Sequence, residues 1–352
     1  MIVKVLHLHT SIRIVCGISN QIITYTRDNE NVEHYIFSLT SDYKIIDGIP
    51  SERFIICKTL DIPLLREIMI IFKLLKIIDQ KPIQILHSHH RYFDFLAYIV
   101  SKFRQIKRIT SVHNIVKGKK FFSYMSPMLI ADSLAVKKHL ENYFGIVSER
   151  IKVIYNVIDI NSVIFSTTKS KMLKKLGLTN NNYIIGYAGR FSIKEKGIDL
   201  LLETFSLFNQ KHRNSRLIMI GEGNDIKKYR FNFENVIVLP PVLNLYDYFQ
   251  IFDCVVLPSR TDAFPITMLI AGICSTPFIG SDIDGISEFI TNEVEGLLFK
   301  RNDKYDLLEK LESVHYNYEN ALKRAKNLRE KVLEECNFLN QKQKLYKVYS
   351  QL

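Results

Sequence analysis

Apolar and polar positions along this chain alternate between two periods. Short β-branched runs at Ile2–Leu6, Tyr35–Phe37, Ile83–Leu86, Arg108–Val112 and Ile151–Ile154 read as strands. Between several of them apolar residues recur every three to four positions, which predicts helices over Leu64–Ile78, Tyr92–Phe103 and Ser133–Phe144. The first of these sets Arg66, Glu67, Lys73 and Lys76 among Leu and Ile and reads as amphipathic. From Asp159 to Asn182 the alternation lapses into Ser166-Thr-Thr-Lys-Ser170 and Thr179-Asn-Asn-Asn182, the composition of a connector. It then restarts with strand Ile184–Ala188, helix Gly197–Gln210 and strands Leu217–Ile220, Val236–Leu239 and Cys254–Leu257. Helix Ile266–Ile273, strand Phe278–Gly280 and a short helix near Ile286–Ile290 follow, and a last helix is expected over Asn337–Leu352. Such alternation predicts an α/β protein of two doubly wound parallel-sheet domains, whose ligands bind outside the carboxyl ends of the strands.

Composition agrees with two separate cores: 352 residues, 47% hydrophobic and 24% charged. No apolar run reaches the length of a membrane span, and the first nine residues lack the long apolar core of a signal peptide. Cys16, Cys57, Cys254, Cys274 and Cys336 are odd in number and fit no disulfide or zinc spacing, so a cytoplasmic setting is expected. The net charge of +12 is uneven, because residues 1–150 carry 21 Lys and Arg against 13 Asp and Glu. Lys102, Arg104, Lys107, Arg108, Lys117, Lys119 and Lys120 lie in one acid-free stretch, followed at once by Phe121 and Phe122. That stretch is either a solvated basic face or a peripheral contact with the anionic inner face of a membrane. No nucleic-acid module accompanies the charge, so nucleic acid is not an expected partner.

Chemistry concentrates in the loops after the strands of the second half. Gly189-Arg190 and Lys194-Glu-Lys196-Gly197 put a guanidinium and an ammonium beside a helix start, which suits a diphosphate. Gly221-Glu222-Gly223 reads as a tight turn or as a place where a base or ribose nears the backbone. In Pro258-Ser-Arg-Thr-Asp262-Ala-Phe264-Pro265, the last proline is expected just inside a helix whose free amides face the ligand. Asp282 and Asp284 read as turn formers rather than metal ligands. His87-Ser-His89-His90 offers imidazoles, but no Cys or Glu completes a site at metal spacing, so no metal is expected.

The order of these motifs resembles glycosyltransferase family 4, retaining enzymes of the GT-B fold. The resemblance rests on Gly189-Arg190…Lys196-Gly197, Pro258-Ser259…Asp262-Ala263-Phe264, Ser281-Asp282…Gly285…Glu288 and Glu295-Gly296-Leu297-Leu298-Phe299. Before them stand Cys16-Gly17, Ser111-Val-His113-Asn114 and Asn156-Val-Ile-Asp159. It implies two Rossmann-like domains facing each other across a cleft. Residues 1–160 would be the acceptor side, 161–182 a connector and 183–335 the nucleotide-sugar domain, with 336–352 crossing back to the first. The implied donor site comprises Gly17, Arg190, Lys196, Glu222, Phe264, Thr267 and Glu288. His113 and Asp262 would be catalytic, and His89 would line the acceptor side. The implied reaction moves a sugar from a UDP- or GDP-sugar to a glycan or lipid-linked acceptor, without cofactor, in surface polysaccharide or glycoconjugate assembly.

Two positions depart from the family's paired glutamates. Asp262 is one methylene shorter, and Ile270 removes the carboxylate that binds ribose. Thr267, one turn earlier, is a candidate replacement hydroxyl; the alternative places Ile270 in the core of an apolar helix. The lost group leaves two other readings open: a non-catalytic partner or glycan-binding protein of the same fold, and a sugar-nucleotide epimerase.

Overall fold

A computed structural model of the chain describes residues 2–13, 17–27, 31–46, 48–160, 163–228 and 235–352. Cys16 of the Cys16-Gly17 pair lies outside them. The chain forms two compact units, residues 1–156 with 339–352 and residues 157–338.

The first unit is built on β1 (Val3–Ile12), α1 (Gly17–Arg27), β2 (Val32–Ser41), β3 (Phe54–Ile56), α2 (Leu65–Gln80), β4 (Ile85–Ser88), α3 (Arg91–Val100), β5 (Lys107–Val112), β6 (Met128–Ala131), α4 (Leu134–Phe144) and β7 (Ile151–Val153). All strand pairs are parallel, in the order β3-β2-β1-β4-β5-β6-β7. The winding reverses between β1 and β4. Strand β1 runs well past the predicted Leu6, because His7 and His9 are buried in the sheet and do not end it. Helix α2 carries two apolar stripes. Ile70, Leu74 and Ile77 enter the core with Phe37, Phe93 and Leu96, whereas Leu65, Ile68, Met69 and Phe72 face outward.

The second unit contains α5 (Lys169–Lys175), β8 (Tyr183–Ala188), α6 (Ile193–Lys196), α7 (Ile198–Lys211), β9 (Ser215–Ile220), β10 (Val236–Leu239), α8 (Tyr246–Phe249), β11 (Cys254–Leu257), α9 (Ile266–Ile273), β12 (Phe278–Asp282), α10 (Asp284–Ser287) and β13 (Leu297–Lys300). Its parallel order is β10-β9-β8-β11-β12-β13, reversing between β8 and β11. The stripe Ile198, Leu201, Leu202, Phe205 and Phe208 of α7 is fully inside. The stretch read as a bare connector contains α5, started by Thr168, whose hydroxyl accepts from the Lys171 amide. After β13 come α11 (Lys304–Tyr316) and α12 (Tyr318–Glu335), which the strand-based reading passed over. The last helix, α13 (Phe338–Gln351), belongs from residue 339 on to the first unit. It is tied there by Tyr346 and Tyr349, whose hydroxyls meet His34 and His87 at 3.1 and 2.7 Å.

Candidate functional site

In the second unit the loops after β8 and β11 meet at the point where the strand order reverses, the usual ligand position of such sheets. Strand β8 ends at Ala188, and the buried Tyr187 hydroxyl donates to the Arg190 carbonyl at 2.7 Å, which fixes the loop's course. Arg190 points outward, 61% exposed, with one guanidinium nitrogen on Glu195 at 2.6 Å. Ser192 caps α6 by accepting from the Glu195 amide, and Lys196 ends that helix. The Lys196 ammonium lies 2.5 Å from the Asp262 carboxylate, and both side chains are largely buried. Ser259 donates to the same carboxylate oxygen at 3.0 Å. The structure thus gathers Arg190, Lys196 and Asp262 into one polar mouth.

The glycines of these loops have a packing reason. Gly197 has φ +62°, and a Cβ there would sit 2.1 Å from the Pro258 carbonyl oxygen. The Gly221 and Gly223 positions would place a Cβ 1.9 Å from the Gly189 oxygen and 2.3 Å from the Phe191 oxygen. What the missing side chains admit is therefore the neighbouring loop, sealed by the Phe191 amide donating to the Glu222 carbonyl at 2.7 Å. Gly221 and Gly223 thus serve the packing of this loop on the one after β8. Glu222 itself is exposed.

The remaining predicted donor residues divide. Phe264 is buried edge-to-face against Phe289, so its ring belongs to the core. Pro265 is the N-cap of α9 rather than its first residue, and no side chain caps the helix. The Thr267 hydroxyl donates to the Ala188 carbonyl at 2.9 Å, leaving only its lone pairs to a ligand. Ile270 is 7% exposed in an apolar helix, which agrees with a core role. Glu288, partly buried, ends α10, whose Gly285 would place a Cβ 2.1 Å from the Asp262 carbonyl oxygen. Ser281 donates to the Ser259 carbonyl at 2.5 Å, so the loop after β12 joins the same assembly.

Arg260 was not singled out by sequence. Its guanidinium holds Asp199 through two nitrogens at 2.6 and 2.7 Å, Asn302 at 2.7 Å, and the Ile193 carbonyl. It clamps the Pro258–Asp262 loop onto α6 and α7. A lone arginine between Ser and Thr gives no pattern to find; only the distant partners reveal it.

In the first unit, β1, β2, β4 and β5 bring buried imidazoles together. His7 meets His34 at 2.8 Å and His89 at 2.9 Å, and His89 meets His113 at 3.1 Å. His113 Nδ1 stands 3.5 Å from the Asp132 carboxylate. His87 lies between the Tyr349 hydroxyl and Ser111 Oγ, each at 2.7 Å. Burial pushes the ring pKa of His34 and His9 down to about 3 and holds His7, His87 and His89 well below the usual value. His89 is thus a buried residue with both ring nitrogens engaged, and it lines a small pocket with His87, Ser111, His113 and Asp132. His90 is a helix cap, its ring accepting from the Tyr92 amide. His7, His87 and His89 lie close enough for metal ligands, but all six of their nitrogens already have hydrogen-bond partners. Gly17, the first residue of α1, is described only as a helix start after β1.

A family profile described as Glycosyl transferases group 1 matches residues 168–332, and one described as Glycosyltransferase Family 4 matches residues 21–162. An uncharacterised glycosyltransferase of Methanocaldococcus jannaschii is 25% identical over 67% of this chain and 66% of its own length. The capsular polysaccharide biosynthesis glycosyltransferase CapM of Staphylococcus aureus is 26% identical over 39% of this chain and 38% of its own. The chain therefore spans less than two thirds of either relative. The crystal structure of Anabaena HepE with UDP and glucose superposes over 99% of this chain and 100% of that one, with a TM-score of 0.84 at 16% identity.

Proposed function

The chain belongs to glycosyltransferase family 4 and has the GT-B fold, and from that premise we propose that it transfers a sugar from a nucleotide-diphosphate donor. The donor is a UDP- or GDP-sugar, the acceptor a glycan or lipid-linked glycan, and the anomeric configuration is retained. The observation carrying this reading is the placement of Arg190 and Lys196 at the strand-order reversal of the second sheet. A departing nucleotide gathers negative charge on its diphosphate. Arg190 has guanidinium donors beyond the one on Glu195, and Lys196 has ammonium protons beyond the one on Asp262. Both serve as electrostatic stabilisers of the leaving group, the work a metal performs in other enzymes. Asp262 and Glu288 hold donor hydroxyls in this reading, and His113 orients the sugar. The UDP and glucose bound by HepE favour a UDP-sugar, and the capsular role of the S. aureus relative favours surface polysaccharide assembly.

Peripheral membrane contact is part of the proposal. Among the described residues no helix is long and apolar enough to cross a membrane. The outward stripe of α2, with Phe72 68% exposed, and Phe121, 85% exposed, lie on either side of α3 in sequence and offer apolar surface among lysines. Binding to anionic lipid then combines burial of these rings with roughly 1 kcal/mol per nearby cation.

Titration of the chain with UDP, GDP and their sugars, followed by a turnover assay with Arg190→Ala and His113→Ala, tests the reading. Full turnover in Arg190→Ala refutes the diphosphate assignment. Ile270 in the core, with the Thr267 proton committed to Ala188, favours one second reading: a non-catalytic partner of the same fold. No binding of any nucleoside diphosphate would select it.

A further inference from the structure

A continuous line of polar contacts crosses the first unit from α13 to the loop after β6. Tyr346 Oη lies 3.1 Å from His34 Nε2, and His34 Nδ1 lies 2.8 Å from His7 Nε2. His7 Nδ1 lies 2.9 Å from His89 Nε2, His89 Nδ1 lies 3.1 Å from His113 Nε2, and His113 Nδ1 faces Asp132 Oδ2 at 3.5 Å. At every ring-to-ring contact, Nδ1 of one imidazole meets Nε2 of the next.

A neutral imidazole has one N–H and one lone pair. Two such rings in head-to-tail contact satisfy each other only if both carry the proton on the same-named nitrogen. The four rings therefore have two consistent arrangements, all Nδ1–H or all Nε2–H. Any mixture sets two N–H groups or two lone pairs face to face in the core, an unpaired buried contact that destabilises the fold. Charging a ring instead is opposed by burial of His7, His34 and His89. The choice between the two falls to the ends. A carboxylate can only accept, so Asp132 selects Nδ1–H on His113, and the choice passes to His89, His7 and His34. His34 Nε2 is then left to accept from the Tyr346 hydroxyl.

We propose that Tyr346, His34, His7, His89, His113 and Asp132 form a directional proton relay, with Asp132 as the positioning residue that sets its order. Once His113 Nδ1 and Asp132 Oδ2 close from 3.5 Å to hydrogen-bond distance, one concerted shift passes the His113 Nδ1 proton to Asp132 and the His89 Nδ1 proton to His113 Nε2. His89 takes the proton of His7, His7 that of His34, and His34 that of Tyr346. Water then returns a proton to the half-buried Tyr346 oxygen. Asp132 ends protonated, every ring ends as Nε2–H, and one proton has crossed without leaving a charged imidazole. His87 stacks on His89 but hydrogen-bonds to Tyr349 and Ser111, so it flanks the line. His9, Arg53 and Lys342 are the other titratable or charged groups acting on these rings. Use of the relay in sugar transfer rests on the reading of His113 given above; its proton order does not.

The test is a two-bond ¹⁵N–¹H correlation spectrum of the full ¹⁵N-histidine-labelled chain at neutral pH, with no sugar nucleotide present. Single His→Gln variants assign the signals. All four relay rings are expected as Nδ1–H, and Nε2–H on any of them overturns the order. Asp132→Ala removes the acceptor and leaves an Nδ1–H on His113 with nothing to donate to, so the four rings are expected to turn to Nε2–H together, with His34 then donating to the Tyr346 oxygen. Four unchanged rings would place control elsewhere and sink the proposal. Should that variant not fold, Tyr346→Phe decides: the four rings stay Nδ1–H, while ring N–H exchange with water at His113 slows about tenfold, the loss of one hydrogen-bonded link. A flip of the rings, or unchanged exchange, refutes the relay. None of these readings depends on turnover, so an inactive chain and a missing relay are told apart.

Discussion

Lys196 and Asp262, from loops 66 positions apart in sequence, meet at 2.5 Å in the mouth of the second sheet, with Ser259 on the same carboxylate oxygen. In the proposed reading, the contact decides what a donor diphosphate encounters. The ammonium is held in place before any phosphate arrives, and Asp262 is held with it.

Lys196→Ala is therefore expected to weaken binding of the sugar nucleotide by about 1.5–3 kcal/mol, or roughly 10- to 100-fold, as for a hydrogen bond to a charged group. Lys196→Arg keeps charge and should recover part of it. Calorimetry on whichever nucleotide binds the parent chain reads this directly, and an unchanged Kd would remove Lys196 from the site.

Gly197→Ala tests the loop geometry apart from charge. A methyl at φ +62°, 2.1 Å from the Pro258 oxygen, forces two loops apart. The cost should be at least about 1–3 kcal/mol, seen as a lower urea midpoint. A midpoint equal to the parent's would show that the loops part freely.

The buried imidazoles make stability depend on mild acid. For His9 and His34 the folded pKa is about 3, below the ordinary histidine value, so the unfolded chain binds more protons across the interval between. Stability is complete above about pH 6.5 and falls as pH drops toward 3, by about 1.4 kcal/mol per unit for each such ring. Urea unfolding at pH 7.5, 6 and 5 should give a slope above one proton, because His7, His87 and His89 shift in the same direction. A flat profile contradicts the burial of these rings.

Chelation offers a separate check on the chemistry. With cations rather than a metal at the leaving group, transfer should survive extended treatment with EDTA. Loss of activity in EDTA, restored by a divalent ion, would replace the proposed role of Arg190 and Lys196.

Membrane contact predicts that the chain sediments with anionic vesicles at low salt. Ile68→Ser with Phe72→Ser should release it while leaving folding intact, since both side chains face outward. Retention of the double variant on vesicles would assign the contact to another surface.

Sequence made the fold legible because parallel sheets leave apolar strands alternating with helical stretches, as in Cys254–Leu257 and Phe278–Gly280 on either side of α9. It also placed Arg190, Lys196 and Asp262 in neighbouring loops. It failed where side chains act against type. His7 and His9 look like the end of a strand but lie inside one, because a neutral imidazole is tolerated in a core, that of His7 with both ring nitrogens hydrogen-bonded. Helix α1 carries too few apolar residues to stand out, and strands β3 and β6, though wholly apolar, are only 3 and 4 residues long. The bond from Thr267 to Ala188 and the grip of Arg260 on Asp199 join residues far apart in sequence, which no local spacing records.

The close approaches at Gly197, Gly221, Gly223 and Gly285 bear on how this protein can be re-engineered. Each lets the main chain of one loop rest directly on that of another, so the loops interlock rather than hang separately from their strands. Grafting a single loop from a relative to alter donor choice would leave a mismatched seam. The loops after β8, β9, β11 and β12 are best exchanged as one block, and specificity in this unit should be inherited the same way.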